Sequence, residues 1–301
     1  MLPAPGCAPS GPGMRRGMRT RRIADRTVSA IGLGAMPLST TRGHPSERDA
    51  VRTIHAALDA GVTLIDTADA YSPSGDMGHN ERLVASALAS YGGDTDAVLV
   101  ATKGGHTRSS GGAWDLDGSP AYLRAACEAS LKALGVDRIG LYQYHRPDPQ
   151  VPYAEAVGAL ADLQREGKIE LVGISNANLD QIRASQDVVE LASVQNELSP
   201  AFRSSEGEVA YCAEQGIAFL PWSPLGGIGK AADLGSDRAA FREVARAHGV
   251  SPQQVCLAWL LAKAEVVIPI PGASRPQSIT DSAAAAELAL TADELATLDT
   301  A

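Results

Sequence analysis

Residues 64–71 read LIDTADAY, an apolar run that ends in Asp66 and is followed by Tyr71. Two further apolar runs end in polar residues: AVLVATKGG contains Lys103, and RIGLYQYHRPD contains His145. Parallel strands of one barrel bring their carboxyl ends to a single mouth, which is where such barrels keep their chemistry. The sequence therefore predicts that these four polar side chains lie together at one end of a barrel.

Short apolar segments alternate with amphipathic stretches of helical period along the rest of the chain, which is the pattern of parallel β/α units. Eight segments are predicted to be strands, at residues 30–35, 62–67, 97–102, 138–144, 170–175, 191–196, 217–222 and 266–271. Barrels of this kind accommodate a chain of 301 residues as one domain. We therefore predict the α/β class and a single-domain (β/α)8 TIM barrel over residues 21–301.

Residues with helix-capping chemistry precede several of the predicted helices. They are Ser46, Ser119, Ser251 and Thr291. Two predicted helices, near 237–248 and 291–299, are additional to a plain barrel. We expect both to pack on its outside.

The first twenty residues, MLPAPGCAPSGPGMRRGMRT, are rich in Pro and Gly and lack the long apolar core of a signal peptide. We predict a flexible amino-terminal extension, or an over-long gene start, over residues 1–20. No uninterrupted apolar run in the chain approaches the roughly twenty residues that span a bilayer. No membrane association is therefore expected.

Charge and cysteine content narrow the class of protein further. The formal net charge is -9, and no Lys/Arg run is long enough to follow a phosphate backbone, so nucleic acid is not an expected partner. The 4 cysteines form no C-x-x-C pair, and the 6 histidines form no pair at metal-ligand spacing on one helix. The sequence predicts no metal and a cytoplasmic protein, and it leaves the oligomeric state open.

The four polar residues at these three strand ends suit one another chemically. A tyrosine with a pKa of about 10 is a poor proton donor near neutral pH unless neighbours stabilise its phenolate, and a nearby lysine does so. A buried ammonium in turn needs a partner such as the carboxylate of Asp66. His145 can donate a hydrogen bond to a substrate oxygen. The set predicts proton delivery to a carbonyl oxygen, although singly Asp66 also fits a helix cap and Lys103 a solvated charge.

From about residue 21 to 301 the chain resembles the aldo-keto reductase family. The motifs are GLGAMP (32–37), LIDTADAY (64–71), NERLVASAL (80–88), ATKGG (101–105), HRPDP (145–149), EGKIELVGISN (166–176), VQNELSP (194–200), PWSPLGG (221–227) and IPIPGAS (268–274). The resemblance implies reduction of a carbonyl by hydride from a nicotinamide, with Tyr71 as the general acid. It also implies that Lys103 and Asp66 tune this acid and that His145 orients the carbonyl.

The same resemblance implies a cofactor site made of three groups of residues. The group at the nicotinamide comprises Ser175, Asn176, Gln195 and Trp222. The group at the pyrophosphate comprises Ser223, Leu225 and Gly227. The group at the adenosine phosphate lies in PGASRPQSITDS (271–282) and comprises Gly272, Ser274, Arg275, Asp281 and Ser282.

The cofactor is expected to be NADPH, with NADH less favoured. A planar guanidinium recognises phosphate through two hydrogen bonds, so Arg275 suits a 2′-phosphate, although it also fits an ordinary solvated arginine. The segment departs from the family at Ser278, where many relatives carry Arg, and at Asp281 and Ser282, where they carry Glu-Asn.

The substrate is expected to be a small-molecule carbonyl compound. Candidate contacts are Met36, Trp114 and Trp222, with Arg146 or His106 as polar groups. Because aromatic residues make up only 4% of the chain, we favour a small or polar aldehyde or ketone over a flat polycyclic steroid. Relatives with similar PLGG and VQNE segments make a pyridoxal-like substrate the leading specific hypothesis.

Two other functions compete with a reductase. The first is a non-catalytic, nicotinamide-nucleotide-binding regulatory subunit on the same fold, which would bind NADPH without turnover. The second is a Schiff-base lyase with Lys103 as the nucleophile, which borohydride would trap on a substrate.

Overall fold

The apolar segments of the sequence form strands, and the stretches of helical period between them form helices. The computed structural model describes residues 18–40, 43–73, 75–109, 111–227 and 229–301. The strands are β1 (Thr20–Ile23), β2 (Arg26–Ser29), β3 (Leu33–Gly34), β4 (Leu64–Asp66), β5 (Leu99–Gly104), β6 (His106–Arg108), β7 (Trp114–Leu116), β8 (Ile139–Tyr144), β9 (Ile169–Ser175), β10 (Leu191–Gln195) and β11 (Ala218–Phe219). The α-helices are α1 (Glu47–Asp59), α2 (His79–Ala89), α3 (Pro120–Leu134), α4 (Tyr153–Arg165), α5 (Leu179–Gln186), α6 (Glu206–Gln215), α7 (Leu234–Asp237), α8 (Ala239–His248), α9 (Pro252–Lys263), α10 (Pro276–Ala284) and α11 (Ala292–Asp299).

In the described part of the chain, 7 strands form one parallel sheet in the order β11-β10-β9-β8-β5-β4-β3. The predicted eighth strand, 266–271, lies between the two edges of this sheet. On one side it bonds to β11, and on the other it accepts hydrogen bonds from the N–H groups of Gly32 and Gly34 at 2.9 and 3.0 Å. The sheet is thereby closed, and the predicted (β/α)8 barrel is confirmed.

The segment 266–271 forms isolated bridges rather than a regular strand. The two carbonyls that accept from Gly32 and Gly34 belong to Pro269 and Pro271. A proline has no N–H, so neither residue can donate into a ladder. The prolines therefore limit the number of hydrogen bonds that this segment can donate across the closure.

Predicted helix starts and the two additional helices are confirmed. The side chains of Ser46, Ser119, Ser251 and Thr291 each accept a hydrogen bond from a backbone N–H in the first helical turn. Helix α8 corresponds to the predicted helix near 237–248, and α11 to the one near 291–299. Both pack against α9, outside the sheet.

An amino-terminal hairpin, absent from the sequence prediction, caps the barrel. Strands β1 and β2 pair antiparallel, and Ile23 and Val28 are buried among the side chains that fill the barrel interior. Both strands are short and consist mostly of polar residues, so neither has the apolar pattern of a barrel strand. Thr20 already belongs to β1, so the ordered domain begins before residue 21. The rest of the predicted extension, residues 1–17, lies outside the described residues.

The opposite end of the barrel carries the predicted chemistry. The carboxyl ends of β4, β5, β9 and β10 carry Asp66, Lys103, Ser175 and Gln195, and His145 directly follows β8. Because the strands are parallel neighbours, residues distant in sequence meet around one mouth.

Candidate active site

Lys103 is the centre of the predicted polar set. Its side chain is fully buried, and its Nζ donates to Asp66 Oδ2 at 2.7 Å, to the carbonyl of Thr67 at 2.8 Å and to the hydroxyl of Tyr71 at 3.3 Å. A buried ammonium is costly unless it is paired and fully hydrogen-bonded, and here all three of its protons have acceptors. Burial alone would lower the pKa of Lys103, but Asp66 and Tyr71 together raise it. The lysine therefore stays charged.

The second carboxylate oxygen of Asp66 is held by two amides. Gln195 Nε2 donates to Oδ1 at 2.8 Å and Gln143 Nε2 at 3.3 Å. Gln195 was predicted only as a cofactor residue, and Gln143 was not predicted. The signal for Gln143 in the sequence is a polar residue that interrupts the apolar run of β8. Both glutamines fix the carboxylate that pairs with Lys103.

Tyr71 lies beside this ion pair in a buried position. Burial raises the pKa of its phenol, Asp66 raises it further, and Lys103 counteracts both without reversing the direction. The sequence predicted that Lys103 would dominate the proton affinity of Tyr71, whereas burial outweighs the lysine in the structure. Tyr71 therefore keeps its proton through neutral pH.

His145 stands at right angles to Tyr71, with ring centroids 5.7 Å apart. The backbone N–H of His145 donates to the Gly104 carbonyl at 2.9 Å, and the ring nitrogen Nδ1 is buried without a hydrogen-bond partner among the described residues. Burial, Lys103 and His106 together hold the pKa of its imidazole well below the usual range. The ring is therefore neutral, and Nε2 is the nitrogen available to the cavity.

One cavity of about 970 Å³ lies over this cluster. It is lined by the predicted catalytic residues Asp66, Tyr71 and His145, by the predicted cofactor residues Ser175, Asn176, Gln195, Trp222, Ser223, Leu225, Gly227, Gly272, Ser274, Arg275, Asp281 and Ser282, and by the predicted substrate residues Met36, Trp114 and Arg146. Lys103 reaches it only through Tyr71 and Asp66. The fold thus brings together every predicted site residue.

Residues in two parts of the cavity wall adopt backbone conformations with positive φ. Asn176 adopts a left-handed conformation with φ 58°, which an asparagine tolerates, and its Nδ2 donates to the carbonyl of His145 at 3.0 Å. Gly226 and Gly227, with φ 92° and 101°, occupy conformations that side chains rarely adopt. Their backbone is open to close approach by a bound group.

At the far end of the cavity, two of the predicted adenosine-phosphate residues differ in their hydrogen-bond partners. Arg275 is the exposed residue that directly precedes α10, and its guanidinium makes no hydrogen bond or ion pair within the described ranges. Asp281 instead accepts from Ser251 Oγ and Gln254 Nε2, both at 2.6 Å. Its carboxylate is therefore committed to α9, while Arg275 is free to meet an anion.

The predicted substrate residues surround the outer part of the mouth. Trp114 is 42% exposed, and the guanidinium of Arg108 stacks on its ring at 4.1 Å. Arg146 donates to Asn176 Oδ1 at 3.1 Å. Strands β6 and β7, which carry Arg108 and Trp114, form an antiparallel hairpin that the sequence analysis did not predict.

Two buried carboxyl groups behind the cluster were also missed. Burial, reinforced by Glu81, raises the pKa of Asp69 well above its usual value, and burial likewise raises the pKa of Glu81. Glu81 Oε1 accepts from Thr102 Oγ1 at 2.5 Å. The sequence shows only that both residues are acidic. That both carboxyl groups are enclosed is visible only in the packed structure.

We expect Asp69→Asn to stabilise the protein at pH 7. With its pKa raised, native Asp69 binds a proton more tightly than the unfolded chain does, so its contribution to stability declines as pH rises above about 4. Asparagine binds no proton in either state, so the substitution should raise the free energy of unfolding at pH 7 by about 1–3 kcal/mol and flatten its pH dependence. Urea unfolding at pH 4 to 7 measures both, with exposed Asp137→Asn as the control; an equal slope in the two variants would contradict the expectation.

Within the described ranges, no cluster of three or more His, Cys, Asp or Glu side chains is arranged to hold a metal ion. None of the helices in the described part of the chain has the length and apolar composition of a membrane span.

The chain folds as a (β/α)8 barrel with a cavity at its mouth, and comparison with known proteins assigns it to the oxidoreductases. The model of the aldo/keto reductase family matches residues 30–301, and the chain belongs to that family. An uncharacterised oxidoreductase of Schizosaccharomyces pombe is 33% identical over 283 residues, which cover 93% of this chain and 89% of the relative.

Solved structures agree with this assignment. The glycerol dehydrogenase of Gluconobacter oxydans superposes with a TM-score of 0.81 at 28% identity, covering 93% of this chain and 94% of that one. An aldo-keto reductase of Klebsiella pneumoniae, solved in complex with NADPH, superposes with a TM-score of 0.78 at 27% identity, covering 95% of each chain.

Proposed function

We propose that this protein is an NADPH-dependent aldo-keto reductase that converts a small aldehyde or ketone to an alcohol. The observation that carries the proposal is the protonated Tyr71 hydroxyl, 3.3 Å from the ammonium of Lys103 and beside a neutral His145, at the floor of the large cavity. This arrangement suits delivery of a proton to an oxygen on which negative charge develops.

The cavity residues fit a nicotinamide dinucleotide. Ser175, Asn176 and Gln195 offer hydroxyl and amide groups beside the catalytic cluster, and Trp222 offers an aromatic face. A Cβ on Gly272 would lie 2.7 Å from the Pro37 ring, so this wall admits only a glycine. The chemistry that a bound reduced nicotinamide supplies is a hydride for the carbonyl carbon.

Each residue of the cluster then has a distinct task. The Nε2–H of His145 donates to the carbonyl oxygen and fixes its position. The O–H of Tyr71 transfers its proton to that oxygen as negative charge develops there. Lys103 stabilises the resulting phenolate, and Asp66 keeps the lysine charged and in place.

The structure disfavours the lyase alternative. A Schiff-base lysine must lose its proton to act as a nucleophile. Lys103 is fully buried, donates to three acceptors and has a raised pKa. Borohydride is therefore expected to trap no substrate on Lys103.

Binding and turnover test the proposal directly. Purified protein is titrated with NADPH and with NADH while tryptophan fluorescence is followed, since Trp114 and Trp222 both line the cavity. Aldehydes and ketones, including pyridoxal, are then added while the absorbance of the reduced nicotinamide is recorded. Turnover with NADPH supports the reductase. Binding without turnover on any carbonyl would support the regulatory subunit, and absence of binding would overturn both.

We expect Arg275→Met to weaken NADPH binding by about tenfold or more, because a charge-assisted hydrogen bond to phosphate contributes roughly 1.5–3 kcal/mol. NADH has no 2′-phosphate, so its affinity should change little. Fluorescence titration measures both dissociation constants, with exposed Arg48→Met as the matched control. An equal loss of affinity for the two nucleotides would contradict a phosphate contact.

A further inference from the structure

His106 is a second histidine at the mouth, next to the catalytic one. It opens β6, and its backbone carbonyl accepts from the hydroxyl of Tyr122 at 3.1 Å. Its ring centroid lies 4.3 Å from that of His145 at an interplanar angle of 89°, and 5.2 Å from that of Trp114. The ring lines the cavity and is held from three sides.

The protonation state of His106 follows from its neighbours. Nδ1 lies 3.2 Å from the carbonyl oxygen of Asp115, and a carbonyl only accepts, so Nδ1 carries the hydrogen. Burial, followed by nearby Arg146 and Lys103, lowers the pKa of the ring and keeps it neutral. Nε2 therefore carries a lone pair. It makes no hydrogen bond within the described part of the chain and is not enclosed.

The hydrogen-bonding character of His106 complements that of its neighbours. The groups around the expected carbonyl oxygen, the Tyr71 hydroxyl and the Nε2–H of His145, are donors. The guanidinium of Arg146 is a donor as well. His106 Nε2 adds an acceptor beside them, and the centroids of the two imidazole rings are only 4.3 Å apart.

We propose that His106 is a specificity-determining residue, whose Nε2 accepts a hydrogen bond from a hydroxyl on the carbon next to the carbonyl. The preferred substrates are then α-hydroxy aldehydes and α-hydroxy ketones. The proposal rests on the proposed reductase function and adds the substrate class to it.

The test compares hydroxyacetone with butan-2-one, which differ by a hydroxyl in place of a methyl group. The measured quantity is the ratio of kcat/KM for the two ketones with NADPH. In His106→Phe the ring shape is kept and the acceptor is lost, and the ratio should fall by about five- to tenfold. The ratio cancels any effect of the substitution on steps common to both ketones. Comparing the ratio between native protein and variant cancels the difference in intrinsic reactivity between the two ketones.

Two further variants separate the acceptor from the ring. His106→Asn keeps a side-chain acceptor and a donor for Asp115, and its ratio should exceed that of His106→Phe by about threefold. His55→Phe makes the same change at a histidine that packs on Tyr91, outside the cavity, and should keep the native ratio.

The outcomes are distinct. Turnover of both ketones with the same ratio in native protein and His106→Phe overturns this proposal alone. Equal ratios in the Phe and Asn variants, both below the native value, also overturn it, since the ring and not the acceptor would then matter. Absence of NADPH binding and of turnover on either ketone overturns the proposed function, and this inference with it.

Discussion

Tyr71→Phe is expected to lower kcat for carbonyl reduction by about 10²–10⁴-fold, which is the usual contribution of a positioned general acid. The phenol contacts Lys103 and the edge of His145, and the hydroxyl is the only atom removed. Packing is therefore preserved. Because burial keeps the pKa of Tyr71 above its usual value, the native enzyme should hold its activity through neutral pH and lose it only at high pH, as the phenol ionises.

Stopped-flow or steady-state absorbance measures the loss of turnover, and fluorescence titration measures NADPH affinity, which should stay within about twofold of the native value since no cofactor contact is removed. Tyr91→Phe is the matched control, because its hydroxyl bonds to Asp59 outside the cavity. If Tyr71→Phe retained native turnover, another group would have to deliver the proton.

The second large effect is expected at Lys103. Lys103→Met leaves the buried carboxylate of Asp66 without its cation, and breaking a buried ion pair in this way costs about 3–5 kcal/mol of stability. Turnover should also fall steeply, because nothing then stabilises the phenolate of Tyr71. Urea unfolding reports the first effect, and reductase assays report the second.

A double variant separates these two effects. Lys103→Met with Asp66→Asn removes both charges and should recover most of the lost stability while remaining inactive. Lys132→Met, at an exposed position of α3, is the control for loss of a lysine. Equal stability losses in the single and double variants would show that the ion pair itself is not the source of the effect.

Some predictions from the sequence depended only on local chemistry, and these agree with the structure. The apolar segments around Asp66 and Lys103 are strands, and Thr291 caps α11 as predicted, with Glu294 completing a capping box. The β1–β2 hairpin was missed because its stability comes from Ile23 and Val28 entering a barrel interior that other segments create. No local pattern distinguishes such a hairpin from a polar loop.

The sequence by itself determined the barrel architecture and the residues that meet at its mouth, because apolar period, capping residues and strand-end positions are local properties of the chain. Only the tertiary structure decided the state of those residues. Burial raises the pKa of Tyr71 and keeps His145 neutral. The pairing of β6 with β7 places the Asp115 carbonyl where it fixes the proton of His106 on Nδ1. Desolvation and hydrogen bonding depend on groups that come together only when distant segments pack.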